Sequence, residues 1–241
     1  MYTRKGYTVK AYDNQLKNLT GTIIDMSGLV KEMIEVAHKA VFEPKADMVE
    51  FAKTTDKKIN AINTHIDSQV ITILALRQPM AEDLRFVIEA IKIALSLERM
   101  GDMCKNIIYR ANEFEINIPE KQLSRISKMF ALLIDMLDAV LETMESKDGD
   151  RALKIWKKDE KVNKIYHKFF DRTLEDLVSK PDEATGSTHI LFTAKNLERM
   201  CDYVSDIAQS IYYIASGSRP TKEERDEILD AIKDENENTT A

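Results

Sequence analysis

The chain repeats one of its own segments after 100 residues, and this internal repeat restricts the fold more than any other feature of the sequence. Residues 97–102 read Leu-Glu-Arg-Met-Gly-Asp, and residues 197–202 read Leu-Glu-Arg-Met-Cys-Asp. A tandem duplication folds as two similar units, so the structure that one copy forms must also suit the other. In each copy the two acids are four residues apart. On a helix this spacing places both carboxylates on one face, one turn apart.

The positions of the prolines predict where helices begin and end. The 241 residues include only seven glycines and five prolines, and such a composition favours an all-helical chain. Proline is tolerated in the first turn of a helix but not in its interior, so each proline marks a boundary. A turn sequence at 147–150 divides the longest interval between prolines. Together they delimit six helices; the prolines are Pro44, Pro79, Pro119, Pro181 and Pro220.

Apolar residues recur at alternating spacings of three and four, which is the pattern of a helix packed in a bundle. In the first helix these residues are Leu16, Leu19, Ile23, Met26, Val30, Met33, Ala37 and Ala40. The predicted fold is all-α, a tandem duplication of two antiparallel three-helix bundles over residues 8–117 and 118–218. Residues 219–241 form an acidic tail, in which a capping box at 221–224 and an apolar stripe predict a short helix with a solvated end.

Charge and hydropathy exclude several classes of protein. The formal net charge is −6 and the pI is about 5.4, and no basic run is interleaved with aromatic residues, so nucleic-acid binding is not expected. No segment approaches the ~18 consecutive apolar residues of a membrane span, and the first residues do not resemble a signal peptide. A cytoplasmic protein is expected. Cys104 and Cys201 form no CxxC pair and are predicted to be reduced, packed thiols.

A second acidic signal occurs in the middle helix of each predicted bundle. Asp56 precedes Asn60 by four residues, and Asp159 precedes Asn163 by four residues. Both aspartates fall where the apolar rhythm predicts a buried residue. A buried carboxylate is costly unless it is paired, protonated or bound to a metal.

These acidic positions are candidate ligands for a hard metal ion, because carboxylate and amide oxygens suit such cations. The acids of the third and sixth helices are predicted to lie away from the apolar stripe, on an exposed face. The candidate metal ligands are Asp56, Asn60, Glu98, Asp102, Asp159, Asn163, Glu198 and Asp202. Two alternatives stay open: a solvated face bridged to Lys or Arg, for which Arg99 and Arg199 are candidates, or direct contact between the acids and a basic partner surface.

No catalytic constellation accompanies these ligands. Glu35 and His38 form one ExxH motif, but a ferritin-like di-iron site needs two such motifs, and the chain has no second one. No nucleophile elbow, Walker loop or HExxH motif is present. The sequence therefore predicts that the protein is not an enzyme.

The duplicated acidic motifs and one further run resemble the PhoU family. That run is Leu-Arg-Gln-Pro at 76–79, followed by Asp-Leu-Arg at 83–85. The resemblance covers about residues 7–217 and implies two similar three-helix bundles. It also implies a regulator of phosphate uptake and of phosphate-starvation (Pho regulon) signalling. Such a regulator acts between the ATP-binding subunit of the Pst transporter and the PhoR sensor histidine kinase, touches membrane complexes only peripherally, and forms a homodimer.

The resemblance also implies two metal sites on the bundle surface. Asp56, Glu98 and Asp102 would form the first site, and Asp159, Glu198 and Asp202 the second. In this chain an asparagine replaces the last acid of the middle-helix motif, at 60 and 163. The expected metal is Mg, Mn, Fe or Zn. Competing interpretations are an accessory protein of another phosphate carrier, a metal-dependent helical-bundle enzyme, and a purely structural scaffold.

Overall fold

The structure is a computed structural model that describes residues 4–113, 120–180, 182 and 184–239, with side chains described from residue 10 to residue 232. Within these residues the secondary structure is built from seven α-helices, and no strand occurs. The helices are α1 (Arg4–Phe42), α2 (Ala46–Arg77), α3 (Ala81–Glu113), α4 (Glu120–Ser146), α5 (Gly149–Ser179), α6 (Ala184–Ser216) and α7 (Lys222–Thr239). The all-α prediction is confirmed.

The helices end close to the predicted boundaries. Pro44, Pro79 and Pro220 lie in the connections between helices, whereas the predicted boundaries at Pro119 and Pro181 lie outside the described residues. At the end of α2, Gln78 adopts a left-handed conformation with φ 49° and ends the helix before the proline.

The turn predicted at 147–150 is shorter than expected. Lys147 takes the left-handed conformation, with φ 56°, and Asp148 caps α5 by accepting a hydrogen bond from the Arg151 backbone N–H at 2.9 Å. Gly149 is already helical. A Cβ atom at this position would lie 3.4 Å from the ring of Tyr212, which is ordinary van der Waals contact.

Helices α1–α3 pack against one another, and so do α4–α6, as the duplication predicts. The two groups join where α3 packs against α6 and α1 against α4. At these contacts Cys104 Sγ lies 3.6 Å from Met200 Sδ, and the His38 ring stacks on Phe130 at 4.7 Å. The predicted division at 117/118 falls in a segment outside the described residues and stays a prediction.

The core contains the positions that the apolar periodicity predicts. Of the eight residues predicted for α1, seven are fully buried and Leu16 is half-buried. Both cysteines are buried and unpaired, as expected. Burial raises the pKa of both thiols well above its usual range, so they stay protonated.

The tail is more ordered than a solvated segment. Thr221 and Glu224 form the predicted capping box: the Thr221 N–H donates to Glu224 Oε2 at 2.7 Å, and the Glu224 N–H donates to Thr221 Oγ1 at 3.2 Å. The helix is longer than predicted, and Arg225 is only 1% exposed. Its guanidinium lies 4.8 Å from the ring centroid of Trp156 and pairs with Glu160, both on α5.

Across the described residues, no helix combines the length and the apolar composition that crossing a bilayer requires.

Two acidic clusters as the candidate functional site

The structure brings the predicted acids of the first repeat together around a lysine that the sequence analysis did not single out. Lys105 Nζ lies 2.8 Å from Asp56 Oδ2 and 2.6 Å from Asp102 Oδ1. Asp56 comes from α2 and the other two residues from α3, so the ion pairs link these helices. We call Asp56, Glu98, Asp102 and Lys105 the first acidic cluster.

The electrostatics of the first cluster are those of a paired site. Burial raises the pKa of Glu98, and the neighbouring Asp102 carboxylate raises it further. Burial lowers the pKa of Lys105, but its hydrogen bonds to Asp102 and Asp56 outweigh burial, and the net pKa is raised. The lysine therefore stays charged and neutralises the two aspartates. The buried Asp56 is paired, which confirms one of the three states expected for an acid in a bundle seam.

The second repeat brings its acids together without such a lysine between them. Asp159 on α5 and the α6 acids Glu198, Asp202 and Asp206 form the second acidic cluster, in which Asp159 raises the pKa of both Asp202 and Asp206, and Glu198 raises that of Asp202. Asp159 and Glu198 are buried, and Asp202 is half-exposed. Lys195 pairs with Glu198 from the edge, with Nζ 2.5 Å from Oε2.

The second cluster holds more negative charge than it can neutralise. Burial, followed by the Glu198 and Asp159 carboxylates, raises the pKa of Asp202 to about 7. Asn163 Nδ2 donates to Asp159 Oδ2 at 3.0 Å, but Asp159 Oδ1 is buried without a hydrogen-bond partner. A proton on Asp202 or an added cation would relieve this arrangement.

The difference between the clusters comes from two adjacent positions of the repeat. Lys105 and Asn106 correspond to Ser205 and Asp206 at the offset of 100. Ser205 is buried, and its hydroxyl has no hydrogen-bond partner. The first repeat thus places an ammonium group between its acids, whereas the second repeat has a small hydroxyl and one more carboxylate.

The two clusters differ in their fit to a metal ion. In the first, the ammonium group of Lys105 already bridges the acids, so a cation would have to displace it. In the second, the unpartnered oxygen and the clustered carboxylates suit a hard cation. Within the part of the chain that the structure describes, no group of three or more His, Cys, Asp or Glu side chains is arranged to hold a metal ion as it stands. Cation binding therefore requires the carboxylates to converge.

Several site predictions need correction or completion. The expected exposure of the acids is wrong for Glu198, which is 8% exposed. Asn163 is predicted to offer an oxygen ligand, but it contacts Asp159 through its amide nitrogen, which is a donor. In the first repeat Asn60 is exposed, and Asp56 pairs with Lys105. The Arg99 guanidinium lies 5.8 Å from the centre of the Tyr203 ring. The ion pairs to the predicted acids come from Lys105 and Lys195.

The fold defines a class: all-α proteins built from two duplicated three-helix units. A family model described as the PhoU domain matches residues 23–111 and again 126–211. The chain belongs to the PhoU family.

Named relatives agree with this assignment. The chain is 34% identical over 218 residues to the "Phosphate-specific transport system accessory protein PhoU homolog" of Caulobacter vibrioides, covering 90% of this chain and 95% of that protein. A homologue of the same name from Rhizobium meliloti is 33% identical, over 90% of this chain and 92% of that protein. These relatives are named as accessory proteins, so the chain joins a group of non-enzymatic proteins.

Solved structures show the same fold. The crystal structure of PhoU from Pseudomonas aeruginosa superposes with a TM-score of 0.82 at 24% identity, over 86% of this chain and all of that chain. The phosphate transport system regulatory protein PhoU from Streptococcus pneumoniae superposes with a TM-score of 0.79 at 26% identity, over 87% of this chain and 99% of that chain.

Proposed function

We propose that this protein is an accessory protein of phosphate-specific transport that represses phosphate uptake and phosphate-starvation signalling when phosphate is plentiful. The observation that carries the proposal is the 34% identity over nearly the whole length of a relative named as a phosphate-specific transport system accessory protein. The protein works in the cytoplasm, as a homodimer, between the ATP-binding subunit of the Pst transporter and the PhoR histidine kinase.

The acidic clusters supply the regulatory surface. Three of the six predicted acids form ion pairs with Lys105 or Lys195, and the pair between Lys105 and Asp56 links α3 to α2. A change in their charge alters helix packing and the face that a partner meets at the same time. This coupling supports a regulator whose docking depends on the state of these groups.

A hard divalent cation, Mg or Mn, binds at the second cluster in this proposal. Asp159, Glu198 and Asp202 would hold it, with Asn163 turned to offer its oxygen. The unpartnered Asp159 Oδ1 and the raised pKa of Asp202 support this assignment. Iron and zinc are the alternatives that metal analysis of purified protein would reveal. The first cluster takes a cation only if Lys105 moves away.

Calorimetric titration with Mn²⁺ of protein stripped with a chelator tests the cation proposal. One ion per chain is expected for the wild type, and none for Asp202→Asn. Asp102→Asn at the equivalent position of the first cluster is the matched control and should still bind one ion. No heat from the wild type, or equal loss in both variants, would count against a cation at the second cluster.

The regulatory proposal is tested in cells with a phosphate-starvation reporter. In a deletion strain grown in high phosphate the reporter should be on, and the wild-type gene should silence it. Two double variants, Glu98→Ala with Asp102→Ala and Glu198→Ala with Asp202→Ala, show which cluster is needed. A reporter that stays silent in the deletion strain rules out repression by this protein.

A partner-binding assay, with and without added cation, distinguishes the direct-contact alternative. If the acids meet a basic surface of the transporter ATPase or the kinase, charge reversal at Glu98 and Asp102 abolishes partner binding whether or not a cation is present. If a cation acts instead, wild-type binding falls when the cation is withheld, and charge reversal at the first cluster has the smaller effect.

A further inference from the structure

A row of apolar side chains lies exposed along the first half of α3. Leu84, Ile88, Ile91 and Leu95 are each between 37% and 40% exposed. Their spacings are four, three and four residues, the spacing of the seam along which two helices pack in a coiled coil. Large apolar side chains that are scattered singly on a surface are ordinary, but four in register along one helix form a continuous face.

The internal repeat provides a control for the role of these residues. At the offset of 100, Ile88 corresponds to Thr188 and Leu95 to Lys195. The buried positions of the same helices keep their apolar character, as with Leu97 and Leu197. Leu84 and Ile91 correspond to the apolar residues Ala184 and Leu191, so the second repeat is polar at two of the four positions. Packing within the three-helix unit therefore does not require the apolar side chains of Ile88 and Leu95.

The neighbouring helix widens the face. α2 runs antiparallel to α3, because Lys105, near the end of α3, contacts Asp56, in the first half of α2. The same register places Ile71, which is 66% exposed, beside Ile88. We call Ile71 and the four α3 residues the α3 seam.

We propose that the α3 seam docks on the α3 seam of a second copy of this chain. The inference rests on the homodimer in the proposed function and names its interface. A heptad-spaced row is complementary to itself about a two-fold axis. In a parallel arrangement each residue meets its own counterpart, and in an antiparallel one Leu84 meets Leu95 while Ile88 meets Ile91. In both cases apolar groups meet apolar groups.

The size of the face suits a dimer. The exposed fractions of the five side chains correspond to roughly 400 Å² of apolar surface per chain, which is within the range for the largest patch on a monomer. Apolar atoms make up about 60% of an interface, so two such faces would bury on the order of 1,300 Å² in total. Stable specific interfaces bury about 1,200–2,000 Å².

The first test measures the mass of the full chain by light scattering and by sedimentation over a range of concentrations. The wild type should have twice the 27.6 kDa mass of one chain. Ile88→Thr with Leu95→Lys, the residues of the second repeat, should shift it to a monomer with unchanged helical circular dichroism. Val178→Thr, at a more exposed apolar position on α5, is the control and should leave the dimer intact. A monomeric wild type, or a double variant that stays dimeric, would overturn the proposal.

Disulfide trapping gives an independent readout. The native cysteines are buried, so an introduced cysteine reports the seam. Leu84→Cys alone should form an inter-chain disulfide if the helices are parallel. A mixture of Leu84→Cys and Leu95→Cys chains should form the mixed disulfide if they are antiparallel. The absence of both products would also overturn the inference.

Different experiments test the proposed interface and the proposed regulatory role, so the failure of one can be told from the failure of the other. If the double variant becomes a monomer and still silences the reporter, the interface stands and repression does not require the dimer. If the wild type is dimeric through the seam but the deletion strain shows no reporter change, the regulatory proposal alone fails.

Discussion

At the scale of single residues, one substitution between the repeats decides the chemistry of each cluster. The Lys105 ammonium group lies between Asp56 and Asp102 and neutralises their charge, as a bound cation would. Ser205 holds the equivalent position and carries no charge. The two clusters therefore differ in where their positive charge lies: in the first an ammonium group lies between the aspartates, and in the second Lys195 pairs only with Glu198.

Exchanging these residues between the repeats should exchange which cluster binds a cation. Lys105→Ser with Asn106→Asp gives the first cluster the composition of the second, and Mn²⁺ titration should then show two ions per chain instead of one. Ser205→Lys with Asp206→Asn is the reciprocal variant and should bind none. An unchanged stoichiometry in both variants would show that the lysine does not control cation binding.

The raised pKa of Asp202 predicts a specific pH dependence of stability. Its pKa is about 7 in the folded chain, against 3.8 for a free aspartate, so between these values the folded state binds more protons than the unfolded one. The metal-free protein should therefore lose stability as pH rises from 5 to 8. Asp202→Asn removes this contribution. Because Asp202 is half-exposed, solvent screening reduces the gain of the variant at pH 8 to about 1–2 kcal/mol.

Urea unfolding in the presence of a chelator, at pH 5 and pH 8, measures this effect. Asp102→Asn is the matched control, and it should lower stability at pH 8 because it removes a partner of Lys105. If Asp202→Asn is less stable than the wild type at both pH values, the repulsion inferred for the second cluster is absent.

At the scale of helices, the most informative element is α7, which lies beyond the matched PhoU domains. Arg225 anchors it through Trp156 and Glu160 of α5, and Leu229, one turn further along α7, is also buried. The preceding Arg219 pairs with Glu89, which is 1% exposed on α3. The tail thus contacts both repeats.

Removing the Arg225 side chain should release α7. Trp156 is the only tryptophan, so its emission reports this contact directly. In Arg225→Ala the emission should shift to longer wavelength as water reaches the ring, and amide exchange of residues 222–232 should accelerate. Lys222→Ala, on the exposed side of the same helix, should change neither signal. Unchanged emission in Arg225→Ala would mean that the helix docks without the arginine.

The helices were predictable from sequence for a reason that does not extend to the tail or the clusters. Proline, capping residues and the spacing of three and four act locally, so α1 to α6 follow from neighbouring residues. Burial of Arg225 depends on Trp156, 69 positions earlier in the chain, and only the assembled bundle brings them together. The role of Lys105 in the first cluster could not be predicted for the same reason. The sequence shows that Lys105 lies three residues after Asp102, but its contact with Asp56 depends on the packing of α2 against α3.

At the scale of the whole molecule, the two repeats share the buried contacts of α3 with α6 and of α1 with α4. Polar groups also cross this boundary. Lys31 Nζ lies 2.7 Å from Asp138 Oδ1, and the Arg85 guanidinium donates to the Ile214 carbonyl at 2.7 Å. Duplicated units joined in this way, with their buried residues in one continuous hydrophobic core, should behave as one cooperative body.

Cooperativity between the repeats can be measured because Trp156 reports the second repeat and its contact with α7, whereas circular dichroism reports the whole chain. Ile59 is fully buried in the first repeat, and Ile59→Ala should lower the free energy of unfolding by about 2–4 kcal/mol. If the molecule unfolds as one body, the midpoints of both signals shift together in urea.

Trp156→Phe, followed by circular dichroism alone, controls for any perturbation of the reporter. A fluorescence midpoint that stays at its wild-type value while the circular dichroism curve splits in two would show that the repeats unfold independently. In that case, charge changes at one cluster could not be transmitted to the other through the fold.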